Sequence, residues 1–172
     1  FAAVAGLERE AVTGIRLGGG RVAGVETPLG RWDAPVVIVA AGAAAGRVGR
    51  LADLDLPVVP DGHEAGITEP VARFLEPMIV DVRPAPGSRN FYYYQNAEGQ
   101  VVFCSTPDPP IVGEDTRSTS AFLPMVARRM VAVQPALAHL KVRRTWRGLY
   151  PMTPDGAPLV GPAPGVPGLV LA

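Results

Sequence analysis

Residues that could do chemistry are concentrated in the run from Arg144 to Gly161. This run combines a Trp, a Tyr and an Asp with glycines and prolines, and we predict that it is too irregular to form one strand or helix. Within it, Thr153–Gly156 (Thr-Pro-Asp-Gly) is predicted to be a turn, because Pro fixes φ, Asp can bond its own backbone and Gly tolerates positive φ. Loops held by a scaffold on either side often carry binding groups. A tight structural connection beside a core Trp explains the same spacing.

The composition excludes several kinds of site. The formal charge is zero, from 16 basic and 16 acidic side chains, and no basic stripe is present, so neither nucleic-acid binding nor electrostatic membrane attachment is supported. Cys104 is the only cysteine, which excludes an internal disulfide. His63 and His139 are the only histidines and have no ligand spacing around them, so we predict no metal site.

Motif searches exclude other kinds of chemistry. The chain contains no Gly-x-Ser-x-Gly, no Gly-x-Gly-x-x-Gly and no P-loop, and no Ser or Cys has an evident His partner.

The chain has no signal peptide and no apolar run long enough to span a bilayer, so we expect a cytoplasmic protein. The chain begins at Phe1 and stops within the apolar segment 169–172, and we interpret it as a piece of a longer protein.

The elements that must position the candidate residues begin with a predicted β-meander. Ala11–Leu17 and Arg21–Thr27 are predicted to pair as strands. Pro35–Ala40 is a continuous apolar run, the pattern of a strand covered on both faces. The small residues of 41–46 follow at once. They allow either the close approach of a ligand or a plain strand-to-helix junction.

A second set of strands follows. Val58–Thr68 and Met78–Val82 alternate as strands do, and Phe91–Tyr94 and Gln100–Cys104 flank Asn96–Gly99 as a hairpin.

One main helix is predicted over Ser118–Gln134, from apolar residues at helical spacing, with Ser118 or Ser120 as its N-cap. A return strand is predicted over Lys141–Trp146, and the apolar segment Pro158–Val160 is predicted to be a strand after the turn. This order of elements predicts an α+β fold with a second domain inserted in the first.

The residues of the opening run carry a family resemblance. Trp146–Pro162, followed by Gly165–Leu169, resembles the C-terminal flavin-facing segment of the D-amino-acid-oxidase-like (DAO) superfamily of FAD-dependent oxidoreductases, with likeness to its sarcosine oxidase β-subunit, dimethylglycine and proline dehydrogenase branch. The resemblance implies three parts: 1–50, the β-meander of an FAD-binding domain; 51–145, a mostly antiparallel substrate-binding domain with one main helix; and 146–172, the return to the first domain.

The resemblance also implies a function. The chain would be part of an enzyme that oxidises the C–N bond of a small amine or amino acid, such as sarcosine, dimethylglycine or proline, by hydride transfer to non-covalent FAD. The full-length protein would bind this substrate and could have hetero-oligomer partners, and we expect the isolated chain not to retain FAD. One alternative is a non-catalytic flavin-fold fragment or binding subunit. Another is an unrelated mixed α/β ligand-binding domain.

Site residues follow from the same resemblance, with no catalytic residue assigned. The implied substrate-binding residues are Tyr92, Tyr94 and Tyr150, and the implied cofactor-binding residues are Val12, Ala41, Gly42, Trp146, Gly148 and Leu149. Tyr150 stands where glycine-oxidase-like relatives carry an Arg for the substrate carboxylate, so that anchor is unassigned. Gly148 stands where some monomeric sarcosine oxidases carry a flavin-bonded Cys, which excludes that linkage.

Structural interpretations of several residues stand beside the functional ones. An ordinary aromatic sheet face explains Tyr92 and Tyr94, and a Tyr packed under a loop explains Tyr150. His63 is interpreted as a surface or strand-end histidine and Cys104 as a small buried residue. Asp155 is interpreted as a turn-former rather than an acid.

Overall fold

Two contact units organise the chain in the computed structural model, which describes residues 10–172. One unit runs up to Val59 and resumes at Pro151, and the other is Pro60–Tyr150. These divisions fall nine and five residues after the predicted boundaries, 50/51 and 145/146. The reason is that residues 51–56 pack on the core of the first unit, while the strand that begins at Val142 continues past residue 146. The assignment of these units to FAD binding and substrate binding remains a prediction.

The first unit contains two three-stranded sheets. One is an antiparallel meander in the order β1-β2-β3, and the other has the order β10-β11-β4, in which β4 pairs parallel to β11. The strands are β1 (Gly14–Gly18), β2 (Arg21–Thr27), β3 (Gly30–Asp33), β4 (Val37–Val39), β10 (Gly161–Pro162) and β11 (Leu169–Leu171). A 3-10 turn over Gly42–Ala44 leads into the short helix α1 (Ala45–Gly49), which confirms the strand-to-helix junction.

The prediction that Pro35–Ala40 is a strand covered on both faces is wrong. Only Val37–Val39 form β4, and Ile38 is 62% exposed. Within residues 10–172, β4 lies at the edge of its sheet, with β11 as its one neighbour. A strand with one open face buries only every second side chain, and here Val39 is buried while Ile38 is exposed. The predicted strand over Pro158–Val160 is also wrong, since the chain is irregular there and β10 begins at Gly161.

The second unit contains a five-stranded sheet in the order β6-β7-β8-β5-β9. Its strands are β5 (Val59–Pro70), β6 (Ile79–Asp81), β7 (Gly87–Gln95), β8 (Gln100–Asp108) and β9 (Val142–Met152). The predicted hairpin is confirmed, because β7 and β8 pair antiparallel with Tyr92 opposite Cys104, and Gly99 in its turn has φ 83°. The mostly antiparallel sheets with few helices confirm the α+β class.

The main helix, α2, spans Phe122–Val133 and is shorter than predicted. Its N-cap is Ala121, and no side chain caps it, so the caps predicted at Ser118 and Ser120 are wrong. The backbone N–H and hydroxyl of Thr119 instead donate to the Glu64 carboxylate, at 2.5 and 2.8 Å. This long-range pairing holds the preceding segment outside the helix. Among the helices of residues 10–172, none has the length and apolar character that crossing a bilayer requires.

The run Arg144–Gly161 divides into a strand and a turn. Its first part continues β9 through Met152, so the predicted strand end at Trp146 is wrong. The chain leaves the strand after Met152, which confirms that the run does not form one strand or helix. The turn is confirmed: Gly156 has φ 72°, and its N–H donates to the Thr153 carbonyl at 3.2 Å. Asp155 accepts from the Ala157 N–H at 3.0 Å, and this bond lowers the pKa of Asp155. Asp155 therefore acts as a turn-former.

Candidate functional site

The two faces of the five-stranded sheet are formed by alternate residues of its strands. On one face, which we call the helix face, Phe91, Tyr93 and Phe103 form a core with α2 and are each at most 1% exposed. The opposite face carries the intervening residues of the same sheet, and we call it the tyrosine face. Its members are Asp61, His63, Tyr92, Tyr94, Cys104, Trp146, Gly148 and Tyr150.

Three aromatic side chains of the tyrosine face meet, although their strands lie far apart in the sequence. The hydroxyls of Tyr92 on β7 and Tyr150 on β9 lie 3.4 Å apart. The ring of His63 on β5 stacks on the Tyr150 ring, with centroids 4.1 Å apart and an interplanar angle of 25°. Tyr94, two residues along β7 from Tyr92, is 36% exposed. The structure thus brings Tyr92 and Tyr150 into contact and leaves Tyr94 beside them without a described hydroxyl partner.

The interpretation of His63 as a surface or strand-end histidine is wrong. His63 is only 6% exposed, and its Nε2 lies 3.1 Å from Oδ2 of Asp61, itself buried. The other oxygen of Asp61, Oδ1, accepts from the Ile111 N–H at 2.7 Å. Sequence reasoning gave Asp61 no role. The i, i+2 spacing of Asp61 and His63 on one strand face was the available signal for this pair.

Burial raises the pKa values of a hydroxyl and a thiol at the centre of the tyrosine face. The pKa of Tyr92 is raised, chiefly by burial and further by its hydrogen bond to Tyr150. The pKa of Cys104, the cross-strand neighbour of Tyr92, is likewise raised by burial. Cys104 is 3% exposed, which confirms its interpretation as a small buried residue. Both groups are therefore held in their neutral, protonated forms, and the Cys104 thiol donates to the Ser105 carbonyl at 3.9 Å.

Strand β9 places the predicted cofactor-binding residues on both faces of the sheet. By alternation, Trp146 and Gly148 share the face of Tyr150, and Leu149 lies on the other. The Arg144 guanidinium stands over the Trp146 ring, 5.5 Å from its centroid. A Cβ added at Gly148 would meet nothing within 4 Å. Gly148 is thus a bare, open position between two aromatic side chains, and such a surface fits the flat face of a ring cofactor.

A buried ion pair lies on the helix face, opposite these aromatics. The Arg147 Nη2 donates to Glu64 Oε2 at 3.3 Å, and the two side chains are 5% and 7% exposed. The Arg147 Nε–H is buried without a hydrogen-bond partner. Sequence reasoning missed this pair, since its members are 83 residues apart and no local pattern joins them. Its contacts indicate that it holds β9 to β5.

In the first unit, the predicted cofactor residues line two separate cavities. Val12 and Ala41 border an apolar cavity of about 250 Å³. Gly42 borders another of about 250 Å³, which small residues such as Ala45 and Gly156 also line. Gly42 has φ 52°, a conformation that other residues adopt at a cost. Small, apolar linings of this kind fit part of an organic cofactor, and the structure brings Val12 and Ala41 together but not Gly42 with them.

The part of the chain that the structure describes contains no cluster of side chains that could bind a metal ion. No three His, Cys, Asp or Glu side chains of residues 10–172 gather as ligands would. The chemistry that these side chains offer is hydrogen bonding by tyrosine hydroxyls beside an imidazole and an open aromatic surface.

Comparison with known proteins identifies the family. The family model described as DAO, FAD dependent oxidoreductase, matches residues 3–172. The chain belongs to the DAO family. Among curated DAO-family relatives, the sarcosine oxidase subunit beta of Rhizobium meliloti is 31% identical over 156 residues, covering 89% of this chain and 35% of the relative. The glycine oxidase of Pseudomonas putida is 31% identical over 160 residues, covering 93% and 41%.

Solved DAO-family structures agree with the fold. The L-proline dehydrogenase from P. horikoshii superimposes with a TM-score of 0.84 at 28% identity, covering 96% of this chain and 44% of that chain. The chain therefore spans less than half the length of these relatives.

Proposed function

We propose that this chain is part of an FAD-dependent oxidoreductase that oxidises the C–N bond of a small amine or amino acid resembling sarcosine, dimethylglycine or proline. The observation that carries the proposal is the DAO-family match over residues 3–172. Relatives named sarcosine oxidase subunit beta and L-proline dehydrogenase support this substrate class.

The cofactor would be FAD, held without a covalent bond. When bound, FAD supplies the acceptor for the hydride that leaves the carbon next to nitrogen. The residues proposed to hold it are Val12, Ala41, Gly42, Trp146, Gly148 and Leu149. The open Gly148 supports a planar group lying against β9, and a Gly has no side chain with which to form a covalent link.

The substrate would bind at the tyrosine face through Tyr92, Tyr94 and Tyr150. A neutral Tyr hydroxyl can donate to a carboxylate and can accept from an amine N–H. Because Tyr92 and Tyr150 meet at their hydroxyls, one can donate to the other and accept from the substrate, which would orient a small polar molecule beside them. Burial of Tyr92 keeps its hydroxyl protonated through the pH range in which enzymes work.

Partner subunits are a further part of the proposal. One relative is named as the beta subunit of sarcosine oxidase, and we propose that the full-length protein containing this chain associates with other subunits.

The experiment uses the full-length gene product that contains residues 1–172. It is purified, its visible absorption spectrum is recorded, and it is mixed anaerobically with sarcosine, dimethylglycine or proline, with acetate as a control that carries no amine. We expect flavin absorbance that bleaches with at least one amine and persists with acetate. A flavin-free protein, or a flavin that none of the amines reduces, would contradict the proposal. The isolated 172-residue chain is expected to be colourless.

A further inference from the structure

The tyrosine face contains a buried carboxylate–imidazole pair that the proposed function leaves without a role. Asp61 and His63 are 5% and 6% exposed, and both come from β5 with one residue between them. Burying such a pair is unfavourable unless each polar atom has a partner. Asp61 meets this condition by accepting from the Ile111 N–H with Oδ1 and facing His63 with Oδ2.

The chemistry of the pair determines which ring nitrogen carries the proton. An ionised carboxylate can only accept hydrogen bonds, so the nitrogen that faces it must donate. That nitrogen is Nε2, 3.1 Å from Asp61 Oδ2. A neutral His63 would therefore be the Nε2–H tautomer, with its lone pair on Nδ1. The hydrogen bond also restrains rotation of the ring, as carboxylate partners of histidines commonly do.

The restrained ring is in direct contact with the tyrosine pair. Its centroid lies 4.1 Å from that of Tyr150, at an angle of 25°, and the Tyr150 hydroxyl lies 3.4 Å from that of Tyr92. The titratable groups next to the imidazole are thus Asp61 on its own strand and Tyr150 on β9, with Tyr92 and Cys104 beyond them. A rotation of His63 would remove the surface against which the Tyr150 ring rests.

We propose that Asp61 is a positioning residue for the substrate site: it fixes the tautomer and orientation of His63, and His63 in turn holds Tyr150 against Tyr92. The assignment of a substrate to these tyrosines rests on the proposed function. The order of contacts does not, since it is a property of the folded chain.

The test substitutes Asp61→Asn. Asn keeps the shape of Asp and an oxygen for the Ile111 N–H, but it turns its amide N–H₂ toward His63. The facing Nε2 must then accept, and the neutral ring becomes the Nδ1–H tautomer. Long-range ¹H–¹⁵N spectra of the 172-residue chain report the tautomer directly. His63 and His139 are the only histidines, and the exposed His139 serves as an internal control.

The expected result has three parts. His63 is the Nε2–H tautomer in the wild-type chain and the Nδ1–H tautomer in Asp61→Asn, while His139 does not change. The ring-proton shifts of Tyr150 change in the same variant, because the stacked ring has moved. An Nδ1–H tautomer in the wild type would overturn the proposal, and so would a tautomer change that leaves the Tyr150 signals in place. If Asp61→Asn fails to fold, two other measurements test the proposal. The wild-type His63 is expected to be the Nε2–H tautomer, and the Tyr150 ring-proton shifts of Asp61→Glu are expected to differ from those of the wild type.

A second arm separates this inference from the proposed function. In the full-length enzyme, Asp61→Asn is expected to slow flavin reduction by the amine about 10-fold or more, since small misplacements of positioning groups cost up to about 100-fold. Unchanged reduction would show that Asp61 does not position the site. If none of the amines reduces the flavin of the wild-type enzyme, the proposed function fails. The spectra of the isolated chain then still test whether Asp61 orients His63 and His63 holds Tyr150.

Discussion

The two faces of the five-stranded sheet are built from alternating residues of the same strands, yet they differ in what covers them. On the helix face, Tyr93 is 1% exposed and its hydroxyl donates to the Gln134 side chain at 3.1 Å. On the tyrosine face, the adjacent Tyr94 is 36% exposed, and Tyr92 and Tyr150 have each other as hydroxyl partners. Three consecutive tyrosines therefore differ in role: the middle one packs in the core and stabilises the fold, whereas the outer two lie on the face that the helix does not cover.

The largest expected effect separates neighbouring tyrosines. Tyr93→Ala is expected to lower the free energy of unfolding by about 4 kcal/mol, because it removes a fully buried aromatic side chain from a packed core. Tyr94→Ala, the matched control on the tyrosine face, is expected to cost less than about 1 kcal/mol, as surface substitutions do. Urea titrations of both variants measure the difference. Equal losses would remove the distinction between the faces.

Two arginines of β9, one on each face of the sheet, are expected to differ in how much they stabilise the fold. Arg147→Met leaves the buried Glu64 without its cation and is expected to cost about 3 kcal/mol, at the low end for a broken buried pair. The low end is expected because the Arg147 Nε–H already lacks a partner. Arg144→Met, on the tyrosine face of the same strand, removes an exposed cation–π contact worth about 0.5–1 kcal/mol. Thermal unfolding of both variants checks the order, which the reverse result would contradict.

Two glycines, one on each face of the sheet, also differ in the space around them. A Cβ at Gly66 would overlap the ring of Phe103 on the helix face, whereas one at Gly148 meets nothing within 4 Å. Gly66→Ala is therefore expected to cost about 1–3 kcal/mol through overpacking. Gly148→Ala is expected to change the free energy of unfolding by no more than about 0.5 kcal/mol. Denaturant midpoints measure both, and a strongly destabilised Gly148→Ala would mean that the tyrosine face is closed.

The smallest expected effect is a pH dependence. The pKa of Tyr92 is raised in the folded chain, so above about pH 10, the ordinary pKa of Tyr, the unfolded chain loses a proton that the native chain keeps. The unfolded state then binds fewer protons, and stability falls as pH rises. Tyr92→Phe is expected to lessen this fall. Unfolding free energies of both proteins, measured from pH 8 upward, test the sign, and a steeper fall in the variant would contradict it.

Much of this arrangement follows from local sequence patterns. Alternation along Phe91–Tyr94 predicts that Tyr92 and Tyr94 share a face, and the Asn96–Gly99 turn predicts the register of the hairpin. The Thr153–Gly156 turn follows from the conformational preferences of its own residues.

The remainder depends on contacts between residues far apart in the chain. Thr119 donates to Glu64, 55 residues away. Because this bond keeps Thr119 outside the helix, α2 begins at Phe122, after the serines that were predicted to cap it. The stacking of His63 on Tyr150 depends on β5 and β9 being neighbours in the sheet, which neither strand encodes alone. For the same reason, the burial of His63 could not be predicted from its flanking residues.

Two variants that each lose a single oxygen atom test whether substrate binds on the tyrosine face. In the full-length enzyme, Tyr92→Phe and Tyr93→Phe each remove one hydroxyl from adjacent residues of β7, and rapid anaerobic mixing with the amine substrate measures flavin reduction. We expect Tyr92→Phe to raise the substrate concentration for half-maximal reduction or to slow reduction by about 10-fold, the worth of one hydrogen bond. We expect Tyr93→Phe to change neither. Equal kinetics for the two variants, or a larger loss in Tyr93→Phe, would contradict the account.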